Sequence, residues 1–288
     1  MSSLAFVVPP GTTIDLAAHD PAFTGDYTRR RDVEDQLRKD TDRIAGYQTL
    51  LYAQKTQSVL VILQSIDTAG KDSLIKHVMT ALNPQGTIVT SFKAPSLDEL
   101  GHGFLWRSMK AVPARGEFAI HNRSHYEEVL AVRVHREFLA LQGFPPSARG
   151  KDIWRQRFTE INDFERYLVR NGTVVLKFFL HLSRGEQKRR LLERIDTPEK
   201  NWKFALGDID ERRYWREYQQ AFEAMLTATS TRHAPWHIVP ADHKWFTRTV
   251  VARTLVRRLK AMKLAYPALT KQHAADLATS KRLLTTES

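Results

Sequence analysis

At 288 residues, with 42% hydrophobic and 26% charged content, the chain is long enough to bury a full core as one large α/β domain or as a domain with appendages. It contains no cysteine, which excludes disulfides and thiolate metal sites and fits a reducing compartment; no apolar run approaches the roughly 20 residues of a membrane span. The 44 basic residues against 32 acidic ones, a net charge of +12, favour polyanionic partners: nucleic acid, acidic membrane, nucleotides or inorganic polyphosphate.

Residues 1–20 lack a basic region followed by a long apolar one, so a cytoplasmic location is expected. Residues 1–30, punctuated by Pro9-Pro10-Gly11 and Asp20-Pro21, read as an arm wrapped over the surface. Val33, Leu37, Ile44 and Leu51 with interleaved charge predict a long amphipathic helix over 31–57. The apolar run 59–63 predicts a strand buried on both faces, followed by a polar turn and a helix carrying Leu74, Ile75, Val78 and Met79. A second strand is expected at 87–92, then a helix over 96–112 with Ser96 as its cap and Asp98 and Glu99 in its first turn. Residues 117–121 form a short strand that ends in the polar corner Asn122-Arg123-Ser124, with a helix from His125 onward.

Residues 144–152 read as a loop, 154–171 as a helix, and 173–181 as the clearest central strand after the first. Ser183, with Glu186 three places on, has the spacing of a capping box. The polar stretch 196–209, broken by Pro198 and Gly207, reads as a mobile excursion, followed by a helix over 209–230, a strand at 236–240 and a helix over 245–262. The tail 270–288 is polar and either helical or disordered. Five strands alternating with helices predict an α/β fold with one doubly wound parallel sheet, whose ligands sit at the carboxyl ends of the strands. Asp67 and Lys71, Lys93, Asn122 with Arg123, and His181 with Arg184 all fall at such ends.

The first of these ends has the strand, loop, helix plan of a phosphate-binding loop. Gly70-Lys71 keeps the common pattern, but Ser65 stands where its first Gly belongs, and Asp72, followed by Ser73, stands where its hydroxyl belongs. Lys71 would neutralise phosphate charge. Asp67 would repel phosphates unless it works through a cation or a proton; an Asx-type turn is the plainer alternative. Arg123 has the fork that matches two phosphate oxygens, whereas Asn122 occupies a position that normally supplies a carboxylate to Mg²⁺. Glu127, Asp67 or water would then serve the metal. Arg133 is a candidate nucleotide clamp; Trp106, Tyr126 and Trp202 could stack on a base, with core or surface packing the plainer reading for each. The basic run Arg184, Lys188, Arg189, Arg190 and Arg194 suggests a lid over phosphates, in which Arg184 and Lys188 share one helix face and Arg190 and Arg194 another.

The stretches LQSIDTAGKDSLIKHVMTALNPQG, SFKAPS, HNRSHYEEVLAVRVH and KFFLHLSRGEQKRRLLERIDTPEKNWKF, in this order and spacing, resemble the polyphosphate kinase 2 family over about residues 30–265, most closely its class III branch. The resemblance implies a P-loop, thymidylate-kinase-like three-layer α/β/α sandwich with a five-stranded parallel sheet. It implies a single domain over 31–265 with a helical lid at about 183–209, between the arm (1–30) and a tail (266–288). The implied activity moves phosphoryl groups reversibly from inorganic polyphosphate to AMP or ADP, forming ADP or ATP, with guanine nucleotides as further candidates. Mg²⁺, or Mn²⁺ in its place, is the implied cofactor, a homodimer or homotetramer the implied assembly, and no nucleic-acid or membrane partner is expected.

Carried over by position, Asp67, Lys71, Asn122 and Arg123 are the catalytic set, with Asp67 the metal ligand. Thr68, Ala69, Gly70, Asp72, Ser73, Lys93, Arg184, Lys188 and Arg189 hold phosphate or polyphosphate, and Tyr126, Glu127 and Arg133 the nucleotide. Many members have Asp where Asn122 stands, which bears on direct metal coordination there. The alternatives are an ATP-dependent nucleoside monophosphate kinase on the same fold and a non-catalytic basic protein that binds nucleic acid.

Overall fold

All seven residues of β1 (Ser58–Gln64) are buried, and a run of this kind is stable only where helices cover both faces of its sheet. β1 pairs in parallel with β3 (Phe118–Asn122) on one side and β4 (Thr173–His181) on the other. Outside these lie β2 (Thr87–Ser91) and β5 (Trp236–Pro240), also parallel, giving the order β2-β3-β1-β4-β5. The expected five-stranded parallel sheet forms, in a computed structural model that describes residues 6–145 and 150–287. Residues 146–149 of the expected 144–152 loop, 1–5 of the arm and 288 of the tail lie outside the described residues.

Two helical layers enclose the sheet. One is α1 (Arg31–Gln54) and α2 (Lys71–Val78), each packed on α11 (Lys244–Ala261); the other contains α7 (Ile153–Arg170), packed on β4 and on α10 (Trp215–Thr229). No helix among the described residues is long and apolar enough to cross a membrane.

Several expected helices are interrupted, each for a local reason. The helix expected over 96–112 is two single turns, α3 (Leu97–Leu100) and α4 (Trp106–Met109), separated by a stretch that contains Gly101 and Gly103. Ser96 caps α3 with the full capping box, Glu99 reaching back to its amide. The helix expected from His125 begins as a 3₁₀ turn, His125–Val129, breaks at Leu130 (φ −112°, ψ −88°) and resumes as α5 (Ala131–Val134) and α6 (Glu137–Leu141). The 196–209 excursion is largely ordered into a 3₁₀ segment, Pro198–Lys203, and the start of α9 (Gly207–Glu211), and a 3₁₀ turn separates α9 from α10. In the tail, α12 (Lys271–Thr286) is helical and buries none of its residues.

The arm covers the β5 edge. Val7 bridges His237 antiparallel, the Val8 amide donates to Trp236 O (2.9 Å), and Ile14 and Leu16 are buried. A sheet edge covered in this way offers no template for pairing with another chain.

Candidate active site

The turn after β1 bends sharply over the six residues Ser65 to Gly70. Thr68 (φ +68°) and Gly70 (φ +104°) both take left-handed backbone, and Gly70 opens α2 directly at Lys71. For Gly this conformation is free of strain, but for the β-branched Thr68 it is costly, which marks a loop held by its surroundings. Lys71 is only 8% exposed, and its Nζ donates to Ser65 Oγ (2.8 Å) and Ser65 O (3.3 Å). Ser65 therefore supplies the lysine with an acceptor from the place where the common pattern has Gly. Burial, reinforced by Arg123, pulls the Lys71 ammonium down to about 8 against the opposing pull of Asp67, Glu127 and Asp72.

Strand register brings the second group of residues to this loop. Asn122 closes β3 level with Leu63, and the Arg123 amide donates to Leu63 O (3.0 Å). Arg123 is itself left-handed (φ +62°), and its Nη2 bonds Asp67 Oδ1 while Nη1 lies 3.5 Å from Glu127 Oε2. Glu127 and Asp67 hold this guanidinium well above its ordinary value despite burial. For Asp67 burial pushes the carboxyl up, but Arg123 and Lys71 outweigh it and keep the group below its ordinary range, ionised. Asn122 Nδ2 donates to Asp72 Oδ1 (2.7 Å), leaving Asn122 Oδ1 buried without a partner, as is Thr68 Oγ1.

These groups line a cleft of about 310 Å³ together with Gly70, Ser73, Arg190, Glu193, Arg194, Lys200, Lys203 and Lys244. Seven of its lining side chains are basic and three are acidic, so the cleft favours an anion. Among the described residues no cluster of three or more His, Cys, Asp or Glu is arranged to hold a metal. Mg²⁺ does not need one, since it binds through one or two carboxylates plus substrate phosphates and water. Asp67 and the orphaned Asn122 Oδ1 are hard oxygen donors on the cleft wall and fit that requirement.

The remaining expected site residues divide. Thr68, Gly70, Asp72 and Ser73 line the cleft, Ser73 Oγ accepting from Arg248 Nη2 (2.7 Å), while Ala69 is buried beneath it. Glu127 reaches the cleft only through Arg123. Lys93 is exposed and lines a separate hollow at the end of β2 with Arg107 and Lys110. Arg133 is half-buried against the Trp154 ring.

Tyr126 cannot stack on a base. It is fully buried, its hydroxyl donating to Glu165 Oε1 (2.7 Å) and accepting from Lys177 Nζ (2.8 Å), inside a buried ion pair that also uses Thr229 O. Trp106 stacks on His102, whereas Trp202 stands 79% exposed.

The basic helix α8 (Arg184–Asp196) turns the face opposite to the expected one toward the loop. Arg184, Lys188 and Arg189 are exposed and absent from the cleft lining, Arg189 being engaged by Glu186 and Glu193; Arg190 and Arg194 line it. The expected capping box is half formed. Ser183 Oγ accepts from the Glu186 amide, but the Ser183 amide donates to Asp242 Oδ1 (2.8 Å), which frees Glu186 to hold Arg189 and Arg190. Lys200, Lys203 and Lys244 were not legible as site residues, because nothing local distinguishes them from solvated surface lysines.

A parallel sheet with a glycine-lysine loop at its central strand, an arginine at the neighbouring strand end and a cationic wall above defines a P-loop phosphotransferase of the nucleotide-kinase type. Residues 27–267 match the family described as polyphosphate kinase 2, and the chain belongs to that family. It is 42% identical over 280 residues to the ADP-polyphosphate phosphotransferase of Rhodopseudomonas palustris, covering 97% of each chain. It is 41% identical to the AMP/ADP-polyphosphate phosphotransferase of Meiothermus ruber, covering 90% of this chain and 94% of that one. The crystal structure of polyphosphate kinase 2 from Arthrobacter aurescens TC1 superposes with a TM-score of 0.89 at 38% identity, covering 98% of this chain and 97% of that one.

Proposed function

We propose that the protein transfers phosphoryl groups from inorganic polyphosphate to AMP and ADP, forming ADP and ATP. The observation that carries this reading is the setting of Asp67, an ionised carboxylate paired with Arg123 in a cleft whose other walls are largely cationic. Donor and acceptor are both phosphates, so the barrier is dominated by bringing two anions in line, and little covalent chemistry is required of the protein. Lys71 and Arg123 supply fixed positive charge where negative charge builds on the transferred group, and the amides of the loop orient its oxygens. Mg²⁺, or Mn²⁺ in its place, held by Asp67 with Asn122 Oδ1 and substrate phosphates, would neutralise charge on the bridging oxygens. The cationic wall from Arg194 to Lys203 and Lys244 suits the polymer, whose length exceeds what the loop alone contacts.

A homodimer or homotetramer in the cytoplasm is the assembly and setting that accompany this reading. Light scattering of the purified protein checks the assembly. The activity is tested by incubating the protein with Mg²⁺, long-chain polyphosphate and, separately, AMP, ADP, GMP and GDP. ADP and ATP are expected from the adenine nucleotides. No product with any nucleotide sinks the proposal, and turnover with ATP as donor but not with polyphosphate replaces it with a nucleoside monophosphate kinase.

A further inference from the structure

The loop between β1 and α2 is held from outside, and the hold comes from α8. Gln187 Nε2 donates to Asp67 O (3.2 Å), and Arg190 Nη1 to Thr68 O (3.1 Å) and Ala69 O (2.9 Å), so two side chains three residues apart on one helix capture three successive loop carbonyls. Arg190 is 4% exposed and every one of its donors is used: Nη2 bonds Ala241 O (2.6 Å) and Asp242 O (3.0 Å) after β5, and Nε bonds Glu186 Oε1 (2.7 Å). The first two turns of α8 are thus tied at once to the loop and to the end of β5.

In a trans peptide the C=O and the following N–H point in opposite directions. Holding the carbonyls of residues 67–69 therefore turns the amides of Thr68, Ala69 and Gly70 away from α8. None of these three amides has a protein acceptor among the described residues. Three outward carbonyls and three free amides make a concave set of donors suited to an anion. The guanidinium also polarises the peptides it bonds, which strengthens the N–H on their far side. The strain sits at the same point: Thr68, the left-handed β-branched residue, is one of the two loop residues whose carbonyls Arg190 takes.

We infer that Arg190, assisted by Gln187, is the positioning residue of the phosphate loop, acting on substrate through the loop amides. This rests on the reading of the cleft as a phosphoryl-transfer site. It also implies that α8 up to Arg190 belongs to the fixed frame, so that any closure over substrate begins beyond it.

The test uses tripolyphosphate binding by calorimetry, with kcat measured alongside, in Arg190→Lys, Thr68→Gly and their combination. Lysine keeps the charge but cannot span four carbonyls. Arg190→Lys is expected to weaken tripolyphosphate about tenfold or more, the scale of misplacing hydrogen bonds to a charged group. Glycine at position 68 takes left-handed backbone without cost, so the same change in the Thr68→Gly background is expected to cost about threefold or less. A role for Arg190 only in tying α8 to the end of β5 through Ala241 and Asp242 would not respond to the residue at position 68.

Binding within threefold of the parent in Arg190→Lys, or an equal loss in both backgrounds, overturns the inference. Should Arg190→Lys fail to give a cooperative thermal transition, Gln187→Met replaces it. Its expected loss is about fivefold, the scale of one hydrogen bond, again reduced by Thr68→Gly; an undiminished loss is the contrary result. A parent that binds tripolyphosphate but transfers nothing from polyphosphate defeats the proposed function and leaves this inference decided by the binding data.

Discussion

The two walls of the cleft are built on different principles. On the loop wall Lys71 is 8% exposed and bonded to Ser65, and Arg123 and Asp67, 36% and 37% exposed, are fixed by each other, with Arg123 on left-handed backbone. On the opposite wall Lys200 and Lys203 ride on a 3₁₀ segment; Lys203 is exposed, and Lys200, 44% exposed, pairs with Glu193, itself 38% exposed. A charge with fixed partners and little water acts at one point with high strength, whereas an exposed cation on a long stem acts weakly and over a distance. Under the proposed function, the first wall is assigned to chemistry and the second to capture of the polymer.

That division is broken most severely by removing a loop-wall group. Lys71→Ala and Asp67→Asn are each expected to lower kcat by about 10² or more, as loss of a preorganised electrostatic group does. Steady-state turnover with polyphosphate and ADP measures this, and near-normal kcat in either variant moves the chemistry elsewhere. Asp67→Asn should also leave Arg123 without its closest counter-charge, so its loss is not repaired by added Mg²⁺.

The depressed Lys71 gives the loop wall a pH signature. With its pKa near 8 in the free protein, the ammonium is present below that pH and lost above it. Hence kcat/KM should fall on the alkaline side of about pH 8, by about tenfold per pH unit. Bound phosphate favours the charged form, so the corresponding limb in kcat should lie at higher pH. A kcat/KM profile flat to pH 10 would show that Lys71 charge is not needed.

Much of the loop wall was legible in the sequence and much of the other wall was not. The strands β1 and β4 announce themselves because burial on both faces leaves a continuous apolar run, and the loop follows the first of them at short range. The helix over 96–112 looked continuous because periodicity survives across Gly101 and Gly103, although the helix does not. Arg184 and Arg190 lie on the two basic faces of one helix, and the choice between those faces is made by Thr68, Ala69 and Ala241, about 50 to 120 residues away in sequence. Tyr126, next to the Arg123 corner, is placed in the core by partners far away in sequence, Glu165 and Lys177, which no local pattern names. Ser65 departs from the common phosphate-loop pattern, and only geometry identifies Lys71 as the partner that gives the departure its use.

The smallest expected effect sharpens the comparison most, because it separates binding from chemistry. Replacing Lys200 and Lys203 together by Ala leaves Lys71, Asp67 and Arg123 with all their contacts, since neither lysine touches them. Turnover at saturation should stay within about twofold of the parent, while KM for long-chain polyphosphate rises by about fivefold, the sum of two exposed charge interactions of a fraction of a kcal/mol each. Each cation that meets a phosphate along a single-stranded polyanion steepens the log–log dependence on salt by about 0.7. By that analogy the double variant should flatten the dependence of KM on salt by about 1.4. A short donor such as tripolyphosphate does not extend far along this wall, so its KM should change less than that of the polymer. If instead kcat falls with KM unchanged, these lysines act in the transition state and the two walls share the chemistry.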